Sequence, residues 1–167
     1  MTDQMSARLA LPLLAAGQAG KELTHNEALT RLDILVQPAV IGIGGNTPPQ
    51  APQPGQCWIV GAAPTDAWAG HGDALAGWSG GGWRFVVPAE GFAVWNAASG
   101  QPVVYRDGRW REGEVVAGRV VIGGVAVVGP RGGAIADPDG GTVVDAVARK
   151  TLTGILNALR QHGLIAG

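Results

Sequence analysis

The side chains with the most chemical potential are three histidines, one cysteine and a loop that places a histidine between two aspartates. His25, His71 and His162 show no metal-binding spacing such as i, i+4, and the lone Cys57 has no second cysteine with which to complete a zinc site. The sequence also lacks the motifs of serine hydrolases, phosphate-binding loops and dinucleotide sites. We therefore expect no catalytic residue, no metal and no cofactor, and we expect that the protein is not an enzyme.

A ligand-binding surface is the alternative that the same residues suggest. His71 lies between Asp66 and Asp73, which is the densest polar cluster near the tryptophans. Trp68 and Trp95 occupy positions flanked by loops, and an exposed indole suits the C–H face of a sugar ring. Trp68, His71 and Trp95 are thus the predicted glycan contacts. The competing interpretation is that the tryptophans pack in the core and that the loop side chains hydrogen-bond locally.

The charge and the apolar content of the sequence indicate which kinds of partner to expect. The net charge is −1 and the charged fraction is 15%, so we expect neither nucleic-acid binding nor attraction to anionic lipid. No apolar run reaches the roughly 18 residues of a membrane-spanning helix, so no membrane insertion is expected. Residues 9–16 loosely resemble a signal-peptide core, but Asp3 precedes them and Pro12 interrupts them. We therefore expect production in the cytoplasm without a signal peptide.

A repeated aromatic spacing predicts two β-hairpins that would carry these side chains. All six tryptophans lie in residues 57–110. Two-residue Gly-Gly and Asp-Gly turns, which supply positive φ, would place Trp78 opposite Trp83 and Tyr105 opposite Trp110. These four aromatics are therefore assigned to strand register and to the core. Such pairs contribute about 0.5–1.5 kcal/mol beyond area burial, which is too little to fold an isolated hairpin.

Short strands separated by turn signals extend this pattern into a β-domain. The predicted strands cover residues 39–43, 56–60, a piece around Trp68, 75–78, 83–87, 92–96, 103–106 and 109–112. The predicted fold class is mainly β with helices at both ends (α+β), as a small antiparallel meander or sandwich of repeated hairpins. The predicted organisation is an arm and helix (1–43), a Pro- and Gly-rich linker (44–55), the Trp-rich domain (56–117), an apolar hairpin (118–129), a second linker (130–141) and a C-terminal helix (142–163).

Both predicted helices and the apolar hairpin present surfaces that need a partner. Capping-box patterns place the helix starts at Thr24 and Thr142, and Pro38 and Gly163 mark their ends. The hairpin turns at Gly123-Gly124, which sets Ile122 opposite Val125, Val121 opposite Ala126 and Val120 opposite Val127, with apolar side chains on both faces. The last helix carries a short coiled-coil seam. The predicted oligomer contacts are Leu29, Leu32, Leu35, Val121, Ile122, Val125, Leu152, Ile155 and Leu159.

Six motifs occur in a fixed order along the first two thirds of the chain: RLALPLLAAGQAGKELTHNEAL (8–29), LD (32–33), QP (37–38), PGQCWIV (54–60), AWAG (67–70) and GWRF (82–85). As an ordered set they resemble an uncharacterised domain family of phage-like and gene-transfer-agent tail-fibre proteins. Residues 141–149 and 155–165 are similar to the C-terminal helices that close many fibre proteins. The family offers no established catalytic residues. The resemblance implies a virion protein of the tail or spike that assembles as a homotrimer and contacts other virion or fibre proteins.

Two functions follow as expectations. The first is a structural and host-recognition subunit, a tail fibre or spike, that presents the β-domain to a cell-surface polysaccharide. The second is an architectural adaptor that joins a fibre to the particle without host contact. A polysaccharide-degrading enzyme would need a cleft with paired carboxylates, for which the sequence gives no basis.

Overall fold

The computed structural model describes residues 5–17, 20–142 and 145–166, and its chain divides into two compact units, Met1–Glu114 and Val115–Gly167. Residues 1–4 and 18–19 of the predicted arm, residues 143–144 of the predicted last helix, and residue 167 lie outside the described residues. The described residues form a 3-10 turn at Asp66–Trp68 and these helices and strands: α1 (Lys21–Leu35), β1 (Ala39–Val40), β2 (Ile43–Gly45), β3 (Cys57–Val60), β4 (Leu75–Ser79), β5 (Gly82–Val86), β6 (Ala93–Asn96), β7 (Gln101–Arg106), β8 (Arg109–Glu112), β9 (Val120–Ile122), β10 (Val125–Val128) and α2 (Ala146–Gln161). The predicted fold class, mainly β with a helix toward each end, is confirmed.

The first unit contains two four-stranded sheets of the same construction. Each has an antiparallel meander, β3-β4-β5 in one sheet and β6-β7-β8 in the other. A short parallel strand extends each meander at its first strand, with β2 beside β3 and β1 beside β6. The repeated aromatic spacing in the sequence therefore reflects a repeated supersecondary unit.

The segment at residues 38–45 bonds to both sheets in succession. The amides of Trp95 and Ala97 donate to the carbonyls of Pro38 and Val40 at 2.8 and 2.9 Å. The amide of Ile41, further along the segment, donates to the carbonyl of Cys57 in the other sheet at 3.0 Å. Because neighbouring residues bond to different sheets, this segment fixes one sheet relative to the other.

The main core of this unit receives side chains from both sheets and from α1. Its buried members are Ile34, Val40, Cys57, Ile59, Leu75, Val94 and Val103. Trp110 packs against this cluster, and its indole nitrogen donates to the carbonyl of Asp73 at 2.8 Å. The polar end of this half-buried ring is therefore satisfied by the loop that follows the 3-10 turn.

The two predicted aromatic pairs are confirmed. Trp78 lies opposite Trp83 with ring centroids 4.9 Å apart, and Tyr105 lies opposite Trp110 at 5.3 Å. Both pairs pack edge to face, the arrangement that the aromatic quadrupole favours.

The two turns differ in backbone conformation. The Asp107-Gly108 turn has φ of 52° and 71°, as a type I′ turn requires. In the β4–β5 hairpin the positive φ lies at Gly82, at 115°, so the predicted positive φ at Gly80 and Gly81 is wrong. Glycine is still needed next to this turn, but at the first position of β5.

The first helix starts one turn before its predicted start. Gly20 precedes Lys21 with φ of 78°, and no side chain caps the helix. Thr24 and Glu27 lie inside the helix, so the predicted capping box is wrong. The side chain of Glu27 instead bonds to arginines, as described below.

The face of α1 that packs on the sheet is centred on one carboxylate and one apolar side chain. Its buried residues are Asp33 and Ile34, whereas Leu32 is exposed. Ile34 lies against Gly77 of β4, where an added Cβ would approach its Cδ1 to 2.5 Å. Gly77 therefore permits the close approach of helix and strand.

The second unit contains the predicted third hairpin. Its turn at Gly123-Gly124 has φ of 57° and 83°. The two predicted pairs next to the turn are confirmed: Ile122 with Val125, and Val121 with Ala126. A bulge then places Val128 opposite Val120, so the predicted pairing with Val127 is wrong. An extra residue of this kind leaves one member of the longer strand unpaired.

The last helix begins at Ala146, so the predicted start at Thr142 is wrong. Asp145 is the N-cap, and its carboxylate accepts from the second and third helical amides at 3.0 and 2.9 Å. The helix ends before Gly163, whose φ of 69° agrees with the predicted glycine stop.

Residues 130–141 run back along this helix. Gly132 pairs with Ile165, and Arg160 forms an ion pair with Asp137 at 3.0 Å. Among the described residues of the second unit, the buried apolar side chains are those of Leu156 and Ile165 alone. Within the described parts of the chain, no helix has the length and apolar character that crossing a bilayer requires.

Candidate functional site: a cleft beside the aromatic cluster

A cleft of about 530 Å³ opens in the first unit between the N-terminal arm, α1 and the β4–β5 hairpin. Its lining combines apolar, hydroxyl and charged side chains with glycine backbone: Met5, Ser6, Ala7, Leu13, Thr30, Asp33, Ile34, Pro54, Gly55, Trp78, Ser79, Gly80, Gly81 and Arg84. Small-molecule sites are typically concavities of about 300–1,000 Å³ with a mostly apolar lining and a few polar groups. The cleft has this size, but its lining is more polar than that of a typical small-molecule site.

One wall of the cleft is the arm, which a buried carboxylate of α1 holds in place. Asp33 is 4% exposed. It accepts hydrogen bonds from the Ser6 hydroxyl at 2.7 Å and from the amides of Arg8 and Leu9 at 2.9 and 2.6 Å. Three donors offset the desolvation of this carboxylate, which would otherwise be costly to bury.

The guanidinium of Arg8 strengthens the same contact at the C-terminal end of α1. It donates to the carbonyls of Asp33 and Ile34, and to that of Gln37 at 2.6 Å. Carbonyls at a helix C-terminus lack partners within the helix, and their partial negative charge favours a cation. The arm thus caps the helix that it packs against.

The opposite wall is the β4–β5 hairpin, which an ion pair ties to α1. Arg84 Nε donates to Glu27 Oε2 at 2.7 Å, and Arg31 Nε donates to Glu27 Oε1 at 3.1 Å. Burial opposes the ionisation of Glu27, but the hydrogen bonds and charges of both arginines outweigh it and lower the pKa of the carboxyl. Glu27 is therefore an anion at neutral pH that two cations share.

An aromatic cluster covers one side of the sheet that carries this hairpin. The ring of Trp83 lies at its centre, with centroids 4.9 Å from Trp78, 5.4 Å from Trp58 and 5.3 Å from Trp68. Phe85 continues the cluster along β5 at 6.5 Å. Trp78 is also a lining residue of the cleft, but its cross-strand pairing with Trp83 places its ring in this cluster, on the face of the hairpin away from α1.

The prediction of an exposed indole at Trp68 is wrong. The residue is 1% exposed and lies in a 3-10 turn instead of the predicted strand. Its ring packs between Trp58 and Trp83, so no face remains for a sugar. Trp68 is therefore a core residue, which is the competing interpretation that the sequence left open.

The two other predicted ligand residues lie apart from the cleft lining. The His71 ring stacks on Phe85 with centroids 3.7 Å apart, and among the described residues its side chain bonds to neither Asp66 nor Asp73. Trp95 is 49% exposed on β6 of the other sheet and makes no ring contact with any described aromatic. Trp95 keeps an accessible face, and its predicted role as a stacking platform stays a prediction.

The described titratable side chains include no cluster of three potential metal ligands. Burial raises the pKa of the Cys57 thiol to about 11, which keeps it protonated and unreactive at neutral pH. Hydrogen bonds from Ser99 and Asn96 lower the pKa of Glu112, so this carboxylate acts as an acceptor that secures a turn.

The predicted oligomer contacts are mostly accessible. Their exposed members are Leu32, Val121, Ile122, Val125, Leu152 and Ile155, and their half-buried members are Leu29, Leu35 and Leu159. Both strands of the second-unit hairpin are exposed along their whole length. These side chains are available to a partner, and their role in assembly stays a prediction.

Sequence reasoning missed Arg84, a charged residue in the lining of the cleft. Arg84 lies between Trp83 and Phe85 on β5, so strand alternation places it on the opposite side, toward α1. A charge on that side requires a carboxylate partner, and this signal was present in the sequence.

The first unit is a two-sheet β-domain with a ligand-sized cleft, and a second unit of hairpin and helix follows it in the chain. The chain belongs to the DUF2793 family of proteins of unknown function, whose model matches residues 25–111. The matched range covers most of α1 and nearly all of both sheets. The chain matches no curated protein.

Proposed function

We propose that the protein is a structural and host-recognition subunit of a phage-like particle or gene transfer agent, a tail fibre or spike that assembles as a homotrimer. In this proposal the first unit binds a cell-surface polysaccharide, and the second unit joins three copies. The protein is then a virion component that catalyses no reaction. The motifs between residues 8 and 110, with their resemblance to tail-fibre domains, support the particle context.

The observation that carries the recognition role is the cleft between the arm, α1 and the β4–β5 hairpin. It offers aliphatic side chains, hydroxyl groups and glycine backbone in a volume of about 530 Å³, which suits a mono- or disaccharide. Sugar rings present C–H faces to apolar side chains and direct their hydroxyls toward polar side chains and backbone. The ion pair of Arg84 and the contacts of Asp33 fix both walls before a ligand binds.

The assembly role is supported by the exposed apolar surface of the second unit. Ile122 and Val125, a cross-strand pair, are each 65% exposed, and the seam of α2 exposes Leu152 and Ile155. A unit with so few buried apolar side chains gains little hydrophobic stabilisation to offset its conformational entropy. Two further copies of this chain would cover the hairpin and the seam.

Light scattering of the purified protein tests the assembly role. We expect the wild type to have three times the chain mass of 17.0 kDa, and Ile122→Glu to lower the measured mass. Val87→Glu is the matched control, because Val87 is 83% exposed in the first unit and its substitution should leave the mass unchanged. A wild-type monomer would refute the homotrimer.

A glycan array tests the recognition role. We expect binding by the wild type and its loss in Leu13→Ala, which removes an apolar side chain from the lining of the cleft, with circular dichroism to confirm that the variant folds. Trp95→Ala tests the exposed indole in parallel, and loss in this variant alone would move the binding surface to the other sheet. An oligomer that binds no glycan would instead favour the adaptor function, in which the particle is joined to a fibre without host contact.

A further inference from the structure

The sequence contains two Asp-Gly pairs, Asp107-Gly108 and Asp139-Gly140. In such a pair the backbone nitrogen of the glycine can attack the side-chain carboxyl of the aspartate, because glycine has no Cβ to obstruct the approach. The succinimide ring that forms opens again in water and leaves either aspartate or isoaspartate. The two pairs have different surroundings in the fold, and these surroundings decide which of them can react.

Asp139 and Gly140 lie in the segment that runs back along α2, outside any helix or strand, and both are exposed. The Gly140 amide donates to Asp139 Oδ1 at 2.7 Å, so the attacking nitrogen already lies beside the carboxyl group. An added Cβ at Gly140 would meet no atom within 4 Å, which leaves room for the new ring. Rotation about the Cβ–Cγ bond of this exposed side chain then turns the carboxyl carbon toward the nitrogen.

Contacts on both sides of this pair hold its backbone and leave the carboxylate free to rotate. Asp137 forms an ion pair with Arg160 at 3.0 Å, and the guanidinium of Arg149 donates to the carbonyl of Gly140. Two reacting groups that are already held together lose little further entropy when they reach the transition state. The second unit therefore keeps the Gly140 nitrogen and the Asp139 carboxyl group together.

The other pair is held away from ring closure. Asp107 and Gly108 form the type I′ turn between β7 and β8, which the pairing of Arg106 with Arg109 closes. The Asp107 carboxylate lies toward Arg106, with 3.8 Å between Oδ2 and Nε. Ring closure here would change the backbone of the turn and disturb the hairpin, so it requires local opening first.

We infer that Asp139-Gly140 is a site of spontaneous isoaspartate formation in the folded protein, whereas the hairpin protects Asp107-Gly108. The Gly140 nitrogen forms a bond to Asp139 Cγ, and the carboxyl hydroxyl leaves as water with the amide proton. Water then opens the succinimide at the main-chain carbonyl of Asp139, so that the main chain passes through the former side-chain carboxyl. The isoaspartate adds one methylene to the main chain and shifts the Gly140 carbonyl relative to Arg149.

Storage of the folded protein in heavy-oxygen water at neutral pH tests the inference, because hydrolysis of a succinimide places one heavy oxygen in the residue that formed it. Peptide mapping locates the label, and chromatography separates isoaspartate from aspartate peptides. The reference is the same chain unfolded in urea. We expect Asp139 to gain label in the folded protein at least as fast as in urea. Asp107 should gain it at least about tenfold more slowly than in urea, because it reacts only after local opening.

Asp139→Glu is the blocking variant, since the longer side chain keeps the charge but must close a larger ring, which forms much more slowly. It should remove the label from this position, whereas the matched control Asp107→Glu should leave labelling of Asp139 unchanged. Labelling of Asp139 that is slower in the folded chain than in urea would overturn the inference. Equal protection of the two pairs, or label at Asp139 without any isoaspartate, would overturn it as well.

Discussion

Substitution of Gly77 by alanine tests how α1 is seated, and with it the position of one wall of the cleft. The added Cβ would lie 2.5 Å from Cδ1 and 2.7 Å from Cγ1 of Ile34. Carbon atoms pack best at about 3.5–4.0 Å, so two contacts are too short by about 1 Å. The buried Ile34 or the whole helix must move.

The expected cost follows from these overlaps. Overpacking a dense core costs about 1–3 kcal/mol, and the loss of chain entropy in the unfolded state returns about 0.4–1 kcal/mol for a change from glycine to alanine. We therefore expect Gly77→Ala to lower the free energy of unfolding by about 1–2 kcal/mol in urea denaturation.

A double-mutant cycle isolates the contact. Ile34→Val removes the atom in the shortest contact at a cost of about 0.5–1.5 kcal/mol by itself. The double variant should lose less stability than the sum of the losses in the two single variants, with a coupling energy of at least about 0.5 kcal/mol. Gly80→Ala is the matched control, because an added Cβ there meets no atom within 4 Å. Unchanged stability in Gly77→Ala, or strict additivity with Ile34→Val, would refute the close approach.

Three further predictions concern buried and paired side chains. Asp33→Asn should destabilise the protein by about 2–4 kcal/mol and expose the arm to limited proteolysis, because an amide replaces one acceptor oxygen with a donor that faces donors; an arm that stays protected would count against the clamp. Cys57, with its pKa raised to about 11, should react with a thiol reagent at pH 8 only as fast as the protein unfolds, and rapid labelling under native conditions would contradict its burial. The folded-state pKa of Glu27 is lowered from 4.5, so its stabilising contribution is present above that pH and is lost as the pH falls through the folded value. Urea midpoints of wild type and Glu27→Gln should accordingly differ at pH 7 and converge in acid, and a constant difference would exclude the ionised pair as its cause.

The hairpins could be predicted because their determinants are local. Trp78 and Trp83 are separated by one turn, and glycine and serine at that turn leave little freedom of register. The same applies to Tyr105 and Trp110 around Asp107. In such pairs the turn chemistry and the aromatic partners lie within a few residues, so a short window of sequence contains the answer.

The parallel strands could not be predicted by that logic. β1 pairs with β6 and β2 with β3, and these partners lie far apart in the chain or across a Pro- and Gly-rich segment. Gly42, which lies between β1 and β2, makes a close contact in this segment. A Cβ at Gly42 would lie 2.9 Å from Cδ1 of Trp58, so this glycine is required for the ring to pack on the segment.

The site shows why residue type alone was insufficient. Trp68 and Trp95 were indistinguishable by flanking sequence, yet one is buried and the other exposed, because only the first lies above a neighbouring sheet that already carries tryptophans. Asp33 is a second example, since an aspartate within a helix is usually exposed but this one is buried. Its burial depends on donors from the arm, and no periodicity within the helix can report them.

Only part of the cleft lining lies within the residues that match the family model. Trp78, Arg84 and Glu27 lie within residues 25–111, whereas the arm that closes the other side precedes that range. Asp33 joins the two parts, since it belongs to the matched α1 and binds the amides of Arg8 and Leu9. The two sheets and the wall that carries Arg84 thus belong to the family domain. The shape of the cleft also depends on the arm, which lies outside that domain. If the cleft recognises a saccharide, changes in the arm would alter which ligand fits without disturbing the two sheets.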